Sequence, residues 1–385
     1  MLTPRIDFKN FKIKIKLKKN LKDKLKFLLK ENNEILKSLG KNYKNFYNKK
    51  DLIKYKRYTD FRVIGMGGSI LGTQAIYDFL KDKINKNFTF INNLQSNNHK
   101  IDKKKSVNLV VSKSGETIET IVNSNLIIKK KDKNIFITEN KNSYLHILAN
   151  KLKAEVVHHN NFIGGRYSVL SEVGMLPAEL MGLSPNYFKQ LNNLIKNKKF
   201  LNSLIINVNS ILHFINKKKF NSVIINYDEK SENLLNWYKQ LVAESLGKKK
   251  KGVLPIISNM PKDNHSVMQL YLDGFQNNFF TFFYTHDEKL IKMNNHLLMQ
   301  NKGYLKNRYI NEILFAQKKG TENVFKKKNI PFRSFEIKKR DEKTLGELFC
   351  FFILETILIG KSLDLNPYDQ PAVELIKKET KNLLI

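Results

Sequence analysis

The stretch FRVIGMGGSILG, residues 61–72, decides the fold class, because a β-rich run passes through a glycine turn into a helical pattern. Four more β-rich runs follow it: FTFIN at 88–92, NLVVS at 108–112, NIFIT at 134–138 and EVVHH at 155–159. Strands that alternate with helices at spacings of roughly 20 to 30 residues are typical of βαβ units, which build parallel sheets. Residues 46–185 are therefore predicted to form an open parallel sheet covered by helices.

The second half of the chain carries another series of β-rich runs: SVIINY at 222–227, VLPIIS at 253–258, FFTFFY at 279–284 and FRSFEI at 332–337. We therefore predict an α/β protein with two doubly wound, parallel-sheet domains. Its predicted divisions are an N-terminal segment at 1–45, a first domain at 46–185, a second domain at 186–343 and a C-terminal helical arm at 344–385. Alternation of apolar and basic residues at 13–18 suits an edge strand or a frayed segment.

The composition is strongly basic, because 69 basic against 35 acidic residues give a net charge of +34. Such a charge suggests nucleic acid, an anionic membrane or a small anionic substrate as the partner. Only seven of the basic residues are Arg, however, and base-reading surfaces favour the bidentate guanidinium. We therefore interpret the charge mainly as a solvated Lys surface, and we expect neither a nucleic-acid nor a membrane partner.

The single cysteine, Cys350, excludes an internal disulfide and any multi-cysteine metal site, and the apolar run around it indicates a buried position. No stretch is apolar and long enough for a signal-peptide core or a membrane span. The expected location is the reducing cytoplasm.

The turn after the first run contains Gly68 and Ser69, small residues that let backbone N–H groups approach an anion at a helix N-terminus. A dinucleotide fingerprint would need glycine at Ile70 and an acidic residue at Asn92 or Asn93. NAD binding is therefore not expected. Two interpretations of the turn stay open: contact with a phosphate or substrate, or a tight turn without a ligand.

A turn rich in hydroxyl groups, SKSGETIET at 112–120, follows the third run. Hydroxyl groups at this place can cap the following helix or donate hydrogen bonds to phosphate oxygens. Capping needs only one of them, and ligands of open parallel sheets bind at the carboxyl ends of the strands. The turn is therefore predicted to hold a phosphate group through Ser112, Lys113, Ser114 and Thr117.

The pattern S-x-S-G-x-T after a strand resembles the phosphosugar-binding turn of sugar isomerase (SIS) domains, which implies that both α/β domains are SIS-type. Four further segments, in this order, resemble the glucose-6-phosphate isomerase family: NFIGGRYSVLS at 161–171, QLVAESLGK at 240–248, DNHSVMQL at 263–270 and NPYDQPAVELIKK at 366–378. The resemblance extends from about residue 60 to the C-terminus. The chain departs from the family at Ala372, where glycine is usual, and at 93–95, where an acidic residue is common.

The resemblance implies an aldose–ketose isomerase of glucose 6-phosphate and fructose 6-phosphate that needs no cofactor. Such a reaction requires a base, an acid for the ring oxygen and a cation for the enediolate charge. By resemblance, Glu244 is the base and acts through a cis-enediol, while Arg166 stabilises the enediolate. His265 and Lys377 are implied to open the sugar ring together at O5.

The resemblance also implies a homodimer in which His265 reaches the site from the other subunit, with Gln240 and Gln370 as substrate contacts. From the residues alone, Glu244 would be a solvated group at a helix end. Arg166 is a candidate site residue even without the resemblance, because the chain rarely uses Arg and the flanking glycines leave room for a ligand.

Two alternatives stay open from the sequence, and a third is not favoured. One is a broader phosphosugar isomerase that also accepts mannose 6-phosphate. Another is a non-enzymatic sensor of sugar phosphates built on SIS domains, which would have no use for the base, the cation and the ring-opening pair together. The third, a metal-dependent isomerase, has only the His158-His159 pair without further ligand spacing, so no metal site is expected.

Overall fold

The computed structural model describes residues 2–18, 20–94, 106–129, 131–287 and 291–385, and ten strands lie in this part of the chain. The strands are β1 (Ile6–Lys9), β2 (Asp60–Gly65), β3 (Asn87–Ile91), β4 (Val107–Val111), β5 (Lys133–Thr138), β6 (Glu155–His158), β7 (Asn221–Asn226), β8 (Leu254–Asn259), β9 (Asn278–Thr285) and β10 (Phe332–Ile337). They form two five-stranded sheets. The first has the order β3-β2-β4-β5-β6 and is parallel throughout, so the carboxyl ends of its strands meet at one edge.

The second sheet has the order β1-β10-β9-β7-β8 and is parallel except for β1, which pairs antiparallel with β10 and places Ile6 opposite Ile337. Each of the nine β-rich runs found in the sequence forms a strand, with bounds within one residue of those predicted. The α/β class with two parallel-type sheets is therefore confirmed. Residues 13–18 form no strand, so the prediction of an edge strand there is wrong. The N-terminal edge strand is β1 instead.

Fifteen α-helices lie in the described part of the chain: α1 (Leu21–Lys30), α2 (Glu34–Ser38), α3 (Lys49–Leu52), α4 (Leu71–Phe79), α5 (Ile118–Ile127), α6 (Tyr144–Lys151), α7 (Glu172–Leu180), α8 (Pro185–Phe188), α9 (Leu191–Leu194), α10 (Lys198–Asn216), α11 (Glu232–Leu246), α12 (Met268–Asp273), α13 (Ile310–Lys327), α14 (Glu342–Ser362) and α15 (Pro371–Leu383). Short 3₁₀ helices span Gly165–Leu170 and Lys262–His265, among others. None of the described helices combines the length and the apolarity needed to cross a bilayer.

The largest apolar core extends across both sheets, from Val111 at the end of β4 to Phe283 on β9. Helix α11, with its fully buried Trp237, and helix α14, buried from Thr344 to Gly360, belong to this core. Cys350 is buried within α14, as its apolar surroundings predicted. Helix α15, by contrast, has no buried residue. The divisions at residues 45, 185 and 343 stay a prediction.

A buried ion pair joins the second sheet to α14. The Arg333 guanidinium on β10 lies against the Glu355 carboxylate, and both side chains are fully buried. Tyr238 on α11 donates to the same carboxylate at 2.7 Å. Since a buried charge without its partner is strongly destabilising, this pair fixes α11 and α14 relative to the second sheet.

Candidate active site

The hydroxyl-rich turn lies at the carboxyl end of β4, between the strand and α5. Thr117 is the N-cap residue of α5, yet its side chain makes no capping hydrogen bond. Instead the Thr117 Oγ1 lies 2.9 Å from the Ser112 Oγ, and the Ser114 Oγ accepts the Glu116 N–H at 3.2 Å. Capping therefore does not account for the hydroxyl groups. The free first turn of α5 and the hydroxyl groups together suit an anionic ligand.

Lys113 points from this turn across to the loop that precedes the 3₁₀ helix Gly165–Leu170. Its Nζ donates to the Asn161 carbonyl oxygen at 2.7 Å and lies 3.7 Å from the Glu139 carboxylate. Burial lowers the pKa of the Lys113 ammonium, with Glu139 opposing that shift. Lys113 thus places positive charge beside the turn while it connects the turn to the loop.

The glycine turn after β2 approaches protein backbone very closely. A Cβ on Gly68 would overlap the backbone of Gly165 and Arg166, and a Cβ on Gly67 would meet the Gln240 side chain at 2.7 Å. Gly67 also has a φ of +52°, a conformation that favours glycine. Gly68 therefore serves to bring two protein segments together, whereas the neighbouring Ser69 borders the cleft described below.

Arg166 is the centre of the site, and its side chain is only 1% exposed. Its guanidinium makes five contacts: Nε donates to the Ser245 Oγ at 2.8 Å, Nη1 to Glu244 at 3.3 Å and to Gln370 at 2.6 Å, and Nη2 to the carbonyl oxygens of Pro367 at 2.8 Å and Asp369 at 3.0 Å. These partners come from α11 and from residues 366–371, which we call the C-terminal strap. The planar Arg166 guanidinium thus connects its own 3₁₀ helix with α11 and the C-terminal strap, which are far apart in sequence.

Glu244 lies in the last turn of α11, and its side chain is 31% exposed. One carboxylate oxygen accepts the Gln240 Nε2 at 2.8 Å, and the other accepts the Arg166 Nη1 at 3.3 Å. Gln240 sits one helical turn earlier, and its Oε1 is buried without a hydrogen-bond partner among the described residues. The carboxylate is therefore oriented on both sides while it stays accessible to a ligand.

The C-terminal strap borders two clefts. The main cleft measures about 1040 Å³ and is lined, among others, by Ser69, Lys113, Ser114, Thr117, Gln370 and Lys377. The side cleft measures about 800 Å³ and is lined by Glu244, Lys248 and Ala372, among others. Asp369, Gln370 and Pro371 line both. The predicted phosphate turn and the predicted base thus lie on two faces of one strap.

The structure brings most of the predicted site residues together, but not all of them. Glu244, Arg166, Gln240 and Gln370 form one hydrogen-bonded cluster. Lys377 borders the main cleft from α15, where it is 59% exposed and pairs with Glu374 at 2.6 Å. His265 is exposed at the end of a 3₁₀ helix and lines neither cleft.

The profile of the family described as phosphoglucose isomerase matches residues 37–384 of the chain. The chain belongs to this family. Among its relatives, the glucose-6-phosphate isomerase of Methanocaldococcus jannaschii is 32% identical over 359 residues, which cover 85% of this chain and 86% of the relative. The phosphoglucose isomerase resemblance seen in the sequence is confirmed.

Two solved structures share the fold of this phosphoglucose isomerase family member. A hypothetical protein from Thermus thermophilus aligns with a TM-score of 0.82 at 21% identity and covers 94% of each chain. A glucose-6-phosphate isomerase from Chlamydia trachomatis aligns with a TM-score of 0.73 at 18% identity, covering 91% of this chain and 77% of that one. At these identities the likeness establishes the fold alone.

Sequence reasoning missed three residues that connect the candidate site: Tyr167, Ser245 and Lys248. The Tyr167 hydroxyl donates to the Pro367 carbonyl oxygen at 2.9 Å and lies 2.8 Å from the Ser245 Oγ. Lys248 lies 2.7 Å from the Asp369 carboxylate, and this contact lowers the pKa of Asp369. Tyr167 directly follows Arg166 in GGRYS, Ser245 directly follows Glu244, and Lys248 ends the same AESLGK segment, which is the sequence feature that could have pointed to them.

The remaining sequence expectations concern metal ligands and the departures from the family. Within the described ranges, no group of three or more His, Cys, Asp or Glu residues could hold a metal ion. His158 accepts the Asn140 N–H at 3.2 Å, and burial lowers the pKa of His159 to about 4.

The two departures from the family lie at Ala372 and at residues 93–95. Ala372 lies in the first turn of α15, and residue 95 lies outside the described residues.

Proposed function

We propose that this chain interconverts glucose 6-phosphate and fructose 6-phosphate, in glycolysis and gluconeogenesis, by ring opening and proton transfer. The observation that carries the proposal is the Glu244 carboxylate, held between Gln240 and Arg166 next to a hydroxyl-rich turn at a sheet edge. Membership in the phosphoglucose isomerase family and a relative named glucose-6-phosphate isomerase support it. Every step is acid–base chemistry, so side chains suffice and no cofactor is invoked.

The substrate phosphate binds at the turn after β4. Ser112, Ser114 and Thr117 supply hydroxyl donors there, and the first N–H groups of α5, which the Thr117 side chain does not cap, add backbone donors. Lys113 adds positive charge beside them. The Gln370 amide, on the strap that borders both clefts, then contacts the sugar hydroxyls.

Glu244 moves the proton between C1 and C2. Its carboxylate takes the proton from the carbon next to the carbonyl, which gives a cis-enediol, and returns it to the neighbouring carbon. The negative charge that develops on the substrate oxygen is stabilised by the Arg166 Nη1, which already faces both Glu244 and Gln370. Because Arg166 is held by five contacts, its charge needs little reorganisation during the reaction.

Ring opening needs a proton donor at the ring oxygen, and we assign it to His265 with Lys377. Lys377 borders the main cleft. His265 lines neither cleft of its own chain, which supports a homodimer in which it reaches the site of the partner. The cytoplasm stays our proposal for the location, because the one cysteine of the chain is a buried thiol.

Activity is expected in a coupled assay that detects glucose 6-phosphate formed from fructose 6-phosphate, and EDTA should not change the rate. A broader isomerase would also form product from mannose 6-phosphate in the same assay. A sugar-phosphate sensor would bind fructose 6-phosphate in calorimetry without turning it over. Binding without turnover, or a rate that EDTA abolishes, would contradict the proposed reaction.

Subunit complementation tests the proposed dimer. Coexpressed Glu244→Gln and His265→Ala chains should regain roughly a quarter of wild-type activity, because half of the dimers are mixed and each mixed dimer keeps one intact site. Each variant expressed alone is the control and should stay far less active. If coexpression restores nothing while mixed dimers are isolated through two different tags, His265 acts within its own chain or not at all.

A further inference from the structure

A third cleft lies at the opposite end of the first sheet from the candidate active site. It measures about 950 Å³ and is bordered by residues between 46 and 58, by the amino ends of β5 and β6, and by residues 152–154. We call it the aromatic cleft, after Phe46, Tyr47, Tyr55 and Tyr58 in its lining. Because the phosphate turn follows the carboxyl end of β4, the sheet separates this cleft from the site of isomerisation.

Positive charge exceeds negative charge in the aromatic cleft. Its lining includes four cations for which the described chain shows no acidic partner: Arg57, Lys131, Lys133 and Lys153. Of its acids, Glu155 is paired with Lys54 at 2.8 Å, so Asp51 and Asp132 leave two negative charges against the four cations. The cleft therefore attracts anions.

Arg57 distinguishes the lining of this cleft from the Lys-rich surface of the rest of the protein. The chain has only seven Arg residues, and six of them have partners within the described chain: Arg5, Arg62, Arg166, Arg308, Arg333 and Arg340. The Arg57 guanidinium has neither an ion pair nor a hydrogen bond there, and it lies 5.4 Å from the centre of the Tyr58 ring. A guanidinium binds phosphate with two parallel hydrogen bonds, which an ammonium does not.

The walls of the cleft suit a planar ring. The Tyr47 hydroxyl donates to Glu179 at 3.2 Å, so this ring is held in place, and Phe46 is 49% exposed, whereas Tyr55 is buried. Strand β6 is the last strand of its sheet, and its residues 155–157 line the cleft. Its outer edge carries backbone N–H and C=O groups that no strand among the described residues pairs, and the edge of a nucleobase needs such groups.

From these observations we propose that the aromatic cleft binds a nucleoside phosphate, with the base against the aromatic side chains and the phosphates on Arg57 and the neighbouring lysines. Stacking on aromatic rings recognises the base, and charge-assisted hydrogen bonds recognise the phosphates. Both parts of the ligand are required for binding, which makes the proposal testable with fragments of one nucleotide.

Calorimetry on the full chain with ATP in the presence of EDTA tests the proposal. ATP should bind, and adenosine or tripolyphosphate alone should bind at least about tenfold more weakly, because each lacks one half of the contacts. Arg57→Ala should weaken ATP binding about tenfold by loss of the bidentate contact. Arg308→Ala, an exposed Arg in the other half of the chain, is the matched control and should change it less than twofold.

Three outcomes would overturn the proposal. The first is that ATP does not bind. The second is that tripolyphosphate binds as tightly as ATP and both Arg variants behave alike, which would mean binding by general surface charge. The third is displacement of ATP by excess fructose 6-phosphate, which would place ATP in the main cleft. The isomerase rate of Arg57→Ala should equal that of the wild type, and this shows that the variant is folded.

Discussion

Glu244→Gln should lower kcat for fructose 6-phosphate by about 10²–10⁴-fold, the range typical of a lost general base, with little change in KM. The substitution keeps the shape of the side chain but removes its ability to take a proton. The site can accommodate the amide, because the Gln240 Oε1 has no partner among the described residues and becomes an acceptor if the Gln240 amide turns over. A coupled assay over a range of substrate concentrations gives both constants.

The matched control for this variant is Glu232→Gln, which makes the same change in the first turn of the same helix. That substitution removes a favourable contact with the helix dipole, worth about 0.3–1 kcal/mol of stability, and should leave kcat unchanged. Full activity of Glu244→Gln would disprove the role of Glu244 as the base. Equal losses in both variants would point to damage to α11 rather than to lost chemistry.

Gly68→Ala should lower kcat/KM on the order of 10²-fold, because the added Cβ overlaps the backbone of Gly165 and Arg166 and must push them away. Arg166 orients Glu244 and Gln370, so a shift of its backbone disturbs both. Overpacking of this kind should also lower the free energy of unfolding by about 1–3 kcal/mol. The coupled assay and urea-induced unfolding measure the two effects separately.

Gly320→Ala is the control for the same chemical change at an open position. Gly320 lies inside α13, and a Cβ there would meet nothing within 4 Å. Because alanine favours a helix interior, this variant should be more stable than the wild type by about 0.5–1 kcal/mol and fully active. If Gly68→Ala matched Gly320→Ala in both measurements, the close approach at Gly68 would not position Arg166.

Local sequence patterns were sufficient to predict nine of the ten described strands. The nine β-rich runs became strands because each is a short apolar segment between turn residues, and burial on both faces of a parallel sheet needs nothing else. Of the two interpretations of residues 13–18, the edge strand is wrong, because alternation does not specify a pairing partner. Strand β1 forms elsewhere, since Ile6 to Lys9 lie beside the exposed edge of β10.

The sequence indicated Arg166 and Gln370 as candidate site residues but not the contact between them. The contact between Arg166 and Gln370 spans 204 positions in sequence, and no periodicity indicates such a distance. Nor could the sequence show that Gly68 serves the packing against Gly165, because a glycine turn that binds an anion has the same composition. Arg57 was also overlooked, since its significance depends on its lack of a partner in three dimensions.

The C-terminal strap has a consequence for protein synthesis. Residues 366–371 leave the ribosome after both sheets, yet they supply three of the acceptors that hold the Arg166 guanidinium. Domains form during synthesis from the N-terminus onward, so both sheets can fold before the strap exists. The hydrogen-bond cluster around Arg166 is therefore completed only once residues 366–371 have been synthesised, after the last strand of either sheet.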